Sequence, residues 1–418
     1  MSAGARAGSA APNPLRVKDF RRYFAGTSIS LLGSAMSPVA LSFAILQSSH
    51  SAVDLGLVLT CRTVPQLVLI LLGGAFADRF SRAAILLWSN AGAGLTQGVV
   101  ALLLLTGRYD LVAIMALSFA NGALVAFAGP ATRGIVPQLL DTSMLRRANS
   151  LLVFWRNSTK VCGPALAGVL TASIGGGWAI AFDALTYGIA AVCMASLSLP
   201  RPIAGGRRLS AEIVEGWGEF RATTWAWTVV LGAGVTNLLF VGVWNVLGPM
   251  IADRTFGAAG WGVVLGARAV GVIVSSAAMY RAAPRRLLAV GQISTVLGAA
   301  PLLALGLFPQ FGVVAGAAFV AGVGSGIFGP AWETSLQEHV PRELISRVSS
   351  YDDLASFAGV PIGQLAAAPL ALACGFSAVA TGAGAIWLTV ALLPLLSPAV
   401  RQLTHGISGA VAPSGRSE

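Results

Sequence analysis

An all-α integral membrane protein with twelve transmembrane helices is the fold that this sequence predicts, and three features predict it. The chain has 418 residues, of which 56% are hydrophobic and only 10% charged, against about 25% charged in ordinary soluble domains. Its apolar residues come in solid runs rather than alternating strands, each near the roughly 20 residues that cross a hydrocarbon core of about 30 Å. Its basic residues collect between the runs on one side of the alternation. Lipid offers no water to open backbone groups, so solid runs must be helices; a membrane β-barrel would show alternating segments of about ten residues.

Taken in order, the runs fall at 22–47, 53–77, 83–106, 110–132, 148–172, 175–198, 225–250, 258–280, 286–307, 310–332, 349–372 and 376–397. Residues 1–21 are rich in Ala, Gly and Pro and are expected to be a disordered N-terminus. The first run is too long for a signal-peptide core and is followed by further spans, so no cleavage is expected. After the sixth run comes the longest connection, 199–224, with Arg207, Arg208, Glu212, Glu215, Glu219 and Arg221, a pattern suited to an amphipathic linker lying on the membrane surface. Residues 398–418 form a short tail of low hydrophobicity. Spans plus short connections leave no room for a sizeable soluble domain.

With the N-terminus inside, the inner loops hold 21 of the 27 basic residues. The outer loops hold Arg108 and Arg254, and Arg62, Arg156, Lys160 and Arg268 lie within spans. This bias places both termini in the cytoplasm, and the net charge of +11 follows from it without nucleic-acid binding. Six spans, a basic linker and six more spans make two halves, 22–198 and 225–397. A faint repeat agrees: Gly129-Pro130-Ala131 and Gly329-Pro330-Ala331 stand 200 apart, as do Arg147 and Arg347, Ser150 and Ser350, and Gly163 and Gly363. Such parallel repeats are a transporter signature.

The loop after the second run reads Gly73-Gly74-Ala75-Phe76-Ala77-Asp78-Arg79-Phe80-Ser81-Arg82. It resembles the signature loop of the major facilitator superfamily, G-x-L-A-D-R-x-G-R-K/R, through Gly74, Ala77, Asp78, Arg79 and Arg82. Phe76, Ser81 and Ala83 depart from it. Gly74 permits close helix packing; Asp78 can face the positive end of another helix, while Arg79 and Arg82 can meet carboxylates. In the family this loop packs by the start of span eleven, here Asp352 and Asp353, so the resemblance implies a charge latch that holds one conformer. Lys160-Val161-Cys162-Gly163-Pro164-Ala165-Leu166-Ala167-Gly168 in span five looks like the antiporter motif of superfamily exporters. Gly163, Pro164 and Gly168 supply its kink, with Thr159 and Ala167 replacing two glycines. Phe127 to Pro130, Leu145 to Ser150 and Asp19-Phe20-Arg21-Arg22-Tyr23 resemble the branch that contains macrolide-efflux and siderophore-export proteins.

What the resemblance implies is a fold of two six-helix halves around a central cavity. It also implies proton-driven export of a drug-like compound or secondary metabolite, an antibiotic or siderophore, by alternating access. The setting would be a bacterial cytoplasmic membrane, with no cofactor beyond the coupling proton and no obligatory protein partner, so a monomer. One departure bears on coupling: Asn121-Gly122 stand where many drug antiporters carry an arginine in span four.

Ionisable residues inside a membrane are costly and mark function. Arg62, Arg156, Lys160, Asp183 and Arg268 are the candidates for substrate or proton. Arg156 and Lys160 share a helix face; Asp183 could pair with either, form a structural ion pair, or be the group that titrates. Arg133 and Glu333 occupy equivalent positions at the inner ends of spans four and ten, where opposite charges could clamp a cytoplasmic gate. Trp244 and Asn245 are candidates for a ligand pocket.

Other chemistry lacks its residues. There is no P-loop, HExxH, CxxC pair or G-x-S-x-G, so neither ATP hydrolysis, nor a metal site, nor another enzyme activity is expected. Cys61, Cys162, Cys193 and Cys374 sit in or beside different runs and are expected to be buried, inert thiols. An uptake permease, or a membrane sensor that kept the fold without transporting, are the alternatives to an exporter.

Overall fold

A computed structural model describes residues 13–79, 81–197, 221, 223–281, 284–340 and 345–404, apart from the side chains of residues 70–79, 130, 133, 134, 142, 146, 280, 281, 345–347 and 350. The chain divides into two compact units, Met1–Gly206 and Arg207–Glu418. The boundary falls in the expected linker, most of which lies outside the described residues.

The N-terminal unit contains α1 (Lys18–Ser49), α2 (Ala52–Arg79), α3 (Arg82–Leu105), α4 (Leu111–Leu139), α5 (Thr142–Ile174) and α6 (Gly176–Ala195). The C-terminal unit contains α7 (Thr224–Thr255), α8 (Gly257–Arg281), α9 (Leu287–Leu307) and α10 (Phe311–His339). These are followed by α11 (Ile345–Phe357 continued by Val360–Cys374), α12 (Phe376–Leu396) and the short α13 (Pro398–Arg401). Side chains start and stop them. Ser81 and Asp110 accept backbone N–H bonds from Ala84 and Ala113 at the starts of α3 and α4, satisfying donors that a helix start leaves open. Tyr109 in the α3–α4 turn donates to Asp54 Oδ2 at 2.9 Å. Burial, reinforced by Asp54, pushes its hydroxyl up to about 12, so this donor keeps its proton throughout the physiological range.

Both units repeat one packing scheme. In the first, α1 packs on α5 and α6, α2 on α4, and α3 on α4 and α6; in the second, α7 packs on α11 and α12, α8 on α10, and α9 on α10 and α12. The closest approaches recur at a spacing of 200. Gly122 of α4 lies on the Arg62 carbonyl and Gly322 of α10 on the Arg268 carbonyl, where a Cβ would overlap the oxygen. Gly163 meets Ala35, and Gly363 meets the Leu238 carbonyl. Gly175 and Gly375 end α5 and the second segment of α11 at φ of 92° and 89°, a conformation that costs glycine nothing. Arg62 and Arg268 are therefore counterparts, which hydropathy alone does not reveal.

The outer surface is apolar: Trp88 is 71% and Val112 75% exposed. Gln97, Asn121, Asp183, Gln292 and Gln364 are buried. That is the reverse of a water-soluble protein. Among the described residues eleven helices are long and apolar enough to cross a membrane. The one expected span missing from these is α5, whose run Arg156-Asn157-Ser158-Thr159-Lys160 lowers its hydropathy. It is nonetheless a continuous helix of 33 residues, about 50 Å long.

Several expectations are corrected. Residues 13–21 are ordered: Asn13 caps a 3-10 turn, Pro14–Arg16, and Phe20 is fully buried with Ile135, Met144 and Leu152. In the tail, Val400 of α13 is fully buried. Spans four and ten continue to Leu139 and His339, so positions 133 and 333 lie within helices rather than at their ends. Three helices of the C-terminal unit are interrupted partway, each just before a proline: a π turn at Val243–Leu247 before Pro249, a 3-10 turn at Thr295–Ala299 before Pro301, and a break at 358–359 before Pro361; α12 ends in a 3-10 turn, Leu393–Leu396. Proline has no N–H and crowds the carbonyl four residues back. Cys162 and Cys374 are exposed rather than buried, and Cys61 and Cys193 half-buried.

Candidate functional site

Two polar centres stand out, one in each unit. In the N-terminal unit, α6 carries Asp183, fully buried. Gln97 of α3 donates from Nε2 to Asp183 Oδ2 at 2.9 Å and to Ser37 Oγ of α1 at 2.8 Å. Arg62 of α2 donates from Nη1 to the same Ser37 Oγ at 2.9 Å. Asp183 Oδ1 has no hydrogen-bond partner among the described residues. Gly33 makes the arrangement possible: a Cβ there would overlap Thr186 Oγ1 and fall 2.7 Å from Asp183 Oδ1, so only glycine lets α1 close on α6. One turn away Ser34 donates to Tyr187 Oη at 3.0 Å. An aspartate at the centre of a membrane helix costs about 3 kcal/mol, and one hydrogen bond to a charged group returns roughly 1.5–3.

Asp183 is joined to Gln97, Ser37 and, through Ser37, to Arg62, and not to Arg156 or Lys160. Those two cations are exposed on α5. Arg156 borders a separate cavity of about 520 Å³ in the N-terminal unit, with Tyr23, Ser30, Asn90 and Asn149. Gly163 packs on α1 while Pro164 lies inside the unbroken α5; Gly168 is buried.

Residues of the C-terminal unit line an open cavity of about 360 Å³. Arg268 borders it, donating from Nη2 to Ser325 Oγ at 3.4 Å, with its guanidinium 5.0 Å above the Phe240 ring. Glu333, Asp352 and Asp353 border it too. Asp352 Oδ2 accepts from Trp332 Nε1 at 2.8 Å and Oδ1 from Ser356 Oγ at 3.0 Å. Among the described residues no ion pair joins Arg268 to Glu333 or Asp352.

Of the remaining sequence candidates, the side chains of Gly74, Asp78, Arg79 and Arg133 lie outside those described, so neither the latch nor the gate pair has a geometry here. Arg82 is the first residue of α3, capped by Ser81. Trp244 is 2% exposed, its ring 4.6 Å from that of Trp261 and 5.6 Å from that of Phe240. Asn245 is exposed, and neither residue borders the cavities described. Sequence reasoning missed Ser37, Gln97, Gln292 and Ser356. A search for amides inside apolar runs, rather than for charges alone, would have found the two glutamines.

The sequence model of the Major Facilitator Superfamily matches residues 23–364, most of the chain. The chain belongs to that superfamily. It is therefore a multi-pass membrane protein of a transporter family. It is 24% identical over 387 residues to the multidrug efflux pump Tap of Mycolicibacterium fortuitum, covering 89% of this chain and 93% of that one. Over 388 residues it is 26% identical to the enterobactin exporter EntS of Shigella boydii serotype 18, covering 90% of this chain and 91% of that one. In fold it is similar to a variant of the nucleoside transporter NupG, with a TM-score of 0.71 at 9% identity over 91% of this chain and 99% of that one.

Proposed function

We propose that this superfamily member is a secondary exporter that moves a small amphipathic compound out of the cell in exchange for protons, and that Asp183 carries the proton. The observation that carries this reading is the enclosed Asp183 carboxylate, with one oxygen held by Gln97 and the other unpartnered. A buried carboxylate responds to small movements of the helices around it: a donor gained favours the charged form, a donor lost favours the proton. Four helices supply those neighbours: α1 with Ser37, α2 with Arg62, α3 with Gln97, and α6 with Thr186 and Tyr187. The export direction is supported by the names of the two relatives that match nine tenths of this chain. The basic bias of the loops supports a cytoplasmic-membrane location with both termini inside.

The test is ethidium accumulation in energised cells expressing the wild type or Asp183→Asn. Wild type should lower accumulation severalfold, and a protonophore should abolish the difference. Asp183→Asn should behave like empty cells while reaching the membrane in equal amount, because its amide oxygen can still accept from Gln97. Higher accumulation with wild type would instead make the protein an uptake permease. Equal extrusion by Asp183→Asn would remove Asp183 from coupling.

A further inference from the structure

The cavity of the C-terminal unit has a chemistry of its own. Among the described residues that border it, the carboxylates Asp352 and Glu333 stand beside one cation, Arg268. Asp352 is fixed by neutral donors, Trp332 and Ser356, the latter held in turn by Asn237, which donates to its backbone carbonyl at 3.0 Å. Neutral donors orient a carboxylate without cancelling its charge, so it can still attract a cation. Arg268 donates to Ser325 and lies over the Phe240 face, while its Nε has no partner among the described residues. The walls are aromatic: Phe328 and Trp332 stack with planes 14° apart and centroids at 6.2 Å, and Trp387 closes another side. Such faces attract cations and flat rings alike.

A second, independent feature points to a ligand. Gln292, also on the cavity wall, is 4% exposed. Its Nε2 donates to the Ala391 carbonyl at 2.7 Å, which fixes the amide orientation, and Oε1 has no donor among the described residues. A buried acceptor without a partner costs about 1–3 kcal/mol, and a ligand N–H would relieve it.

We infer that this cavity binds the transported compound as a flat aromatic protonated amine: carboxylates Asp352 and Glu333 take the positive charge, the Phe328–Trp332 stack takes the ring system, and Gln292 Oε1 accepts an N–H. The inference rests on the exporter reading and narrows its substrate class. A cavity of about 360 Å³ is at the lower end of the roughly 300–1,000 Å³ of small-molecule sites. That size suits a ligand of two to four fused rings.

Calorimetric titration of the full-length protein in neutral-lipid nanodiscs, with empty nanodiscs as blank, tests this directly. The probes are 9-aminoacridine, 10-methylacridinium and the anionic dye 1-anilinonaphthalene-8-sulfonate. Wild type should bind the two acridines saturably and the anion at least tenfold more weakly. Asp352→Asn should weaken both acridines about tenfold, as removal of a partly desolvated charge partner does, and Glu333→Gln severalfold, because that carboxylate is exposed. Gln292→Met should weaken 9-aminoacridine alone, because 10-methylacridinium has no N–H to lose. Glu333 is exposed, so its variant carries no folding risk and decides the matter if Asp352→Asn melts early. Tighter binding of the anion, or acridine affinity unchanged in Glu333→Gln, would overturn the inference. Acridine binding that follows these variants in a protein that extrudes nothing from cells would leave the ligand class standing and remove the exporter reading.

Discussion

At the scale of single residues, the protein stores polarity where its membrane helices meet, and small residues make room for it. Gly33 is the sharpest case, because its missing side chain leaves the space that Thr186 and Asp183 occupy. Gly33→Ala should cost about 1–3 kcal/mol by overpacking and lower the melting temperature of the detergent-solubilised protein. Gly129→Ala is the control, since a Cβ there meets nothing within 4 Å; it should be neutral or slightly stabilising. Equal effects of the two would show that the contact of α1 with α6 is not tight. Asp183 was legible in the sequence as a lone acid in an apolar run, but its partners were not. Hydropathy says that Gln97 and Ser37 lie in spans, whereas which face of α1, α2 and α3 turns toward α6 is decided by packing.

At the scale of helices, prolines mark the irregular points of the C-terminal unit. Pro38, Pro65 and Pro164 of the N-terminal unit sit inside continuous helices, as do Pro330 and Pro369 of the C-terminal unit, whereas Pro249, Pro301 and Pro361 each follow an irregular turn. Irregular turns in membrane helices persist where the protein supplies other partners for the freed backbone groups, and they are natural hinges. Pro361→Ala should let α11 run on as one helix, raising the melting temperature by a few degrees and slowing ethidium extrusion. An unchanged rate would make the break at 358–359 structural only. The spans themselves were legible because each is a solid apolar run. Some ends were underestimated, since α4, α5 and α10 continue beyond the apolar runs on polar residues that hydropathy reads as loop. Helix α5 shows the opposite limit: its Arg156–Lys160 run makes it too polar to qualify by composition, although the chain keeps it helical throughout.

At the scale of the whole chain, the repeat at 200 residues runs deeper than identity suggests. Gly122 and Gly322, Gly163 and Gly363, and Gly175 and Gly375 do the same physical work in both units; elsewhere only the packing scheme had to be kept, which is why few other residues agree. Each unit has its own buried core. The chain cut within 199–224 and produced as two co-expressed polypeptides should therefore regain at least a tenth of ethidium extrusion, whereas either part alone should give none. The repeat preserves scaffold, not chemistry: Asp183 has its network in the N-terminal unit, and the acidic aromatic cavity belongs to the C-terminal one. The claim that joins them is that a proton taken by the first drives movement of a cation through the protein. Proteoliposomes with an acidic lumen, containing wild type or Asp183→Asn, test it most directly when ethidium entry is followed with and without the pH gradient, beside ethidium exchange at equal pH on both sides. Wild type should accumulate ethidium only under the gradient, and Asp183→Asn should keep exchange while losing gradient-driven accumulation. Accumulation by Asp183→Asn at the wild-type rate would contradict the account.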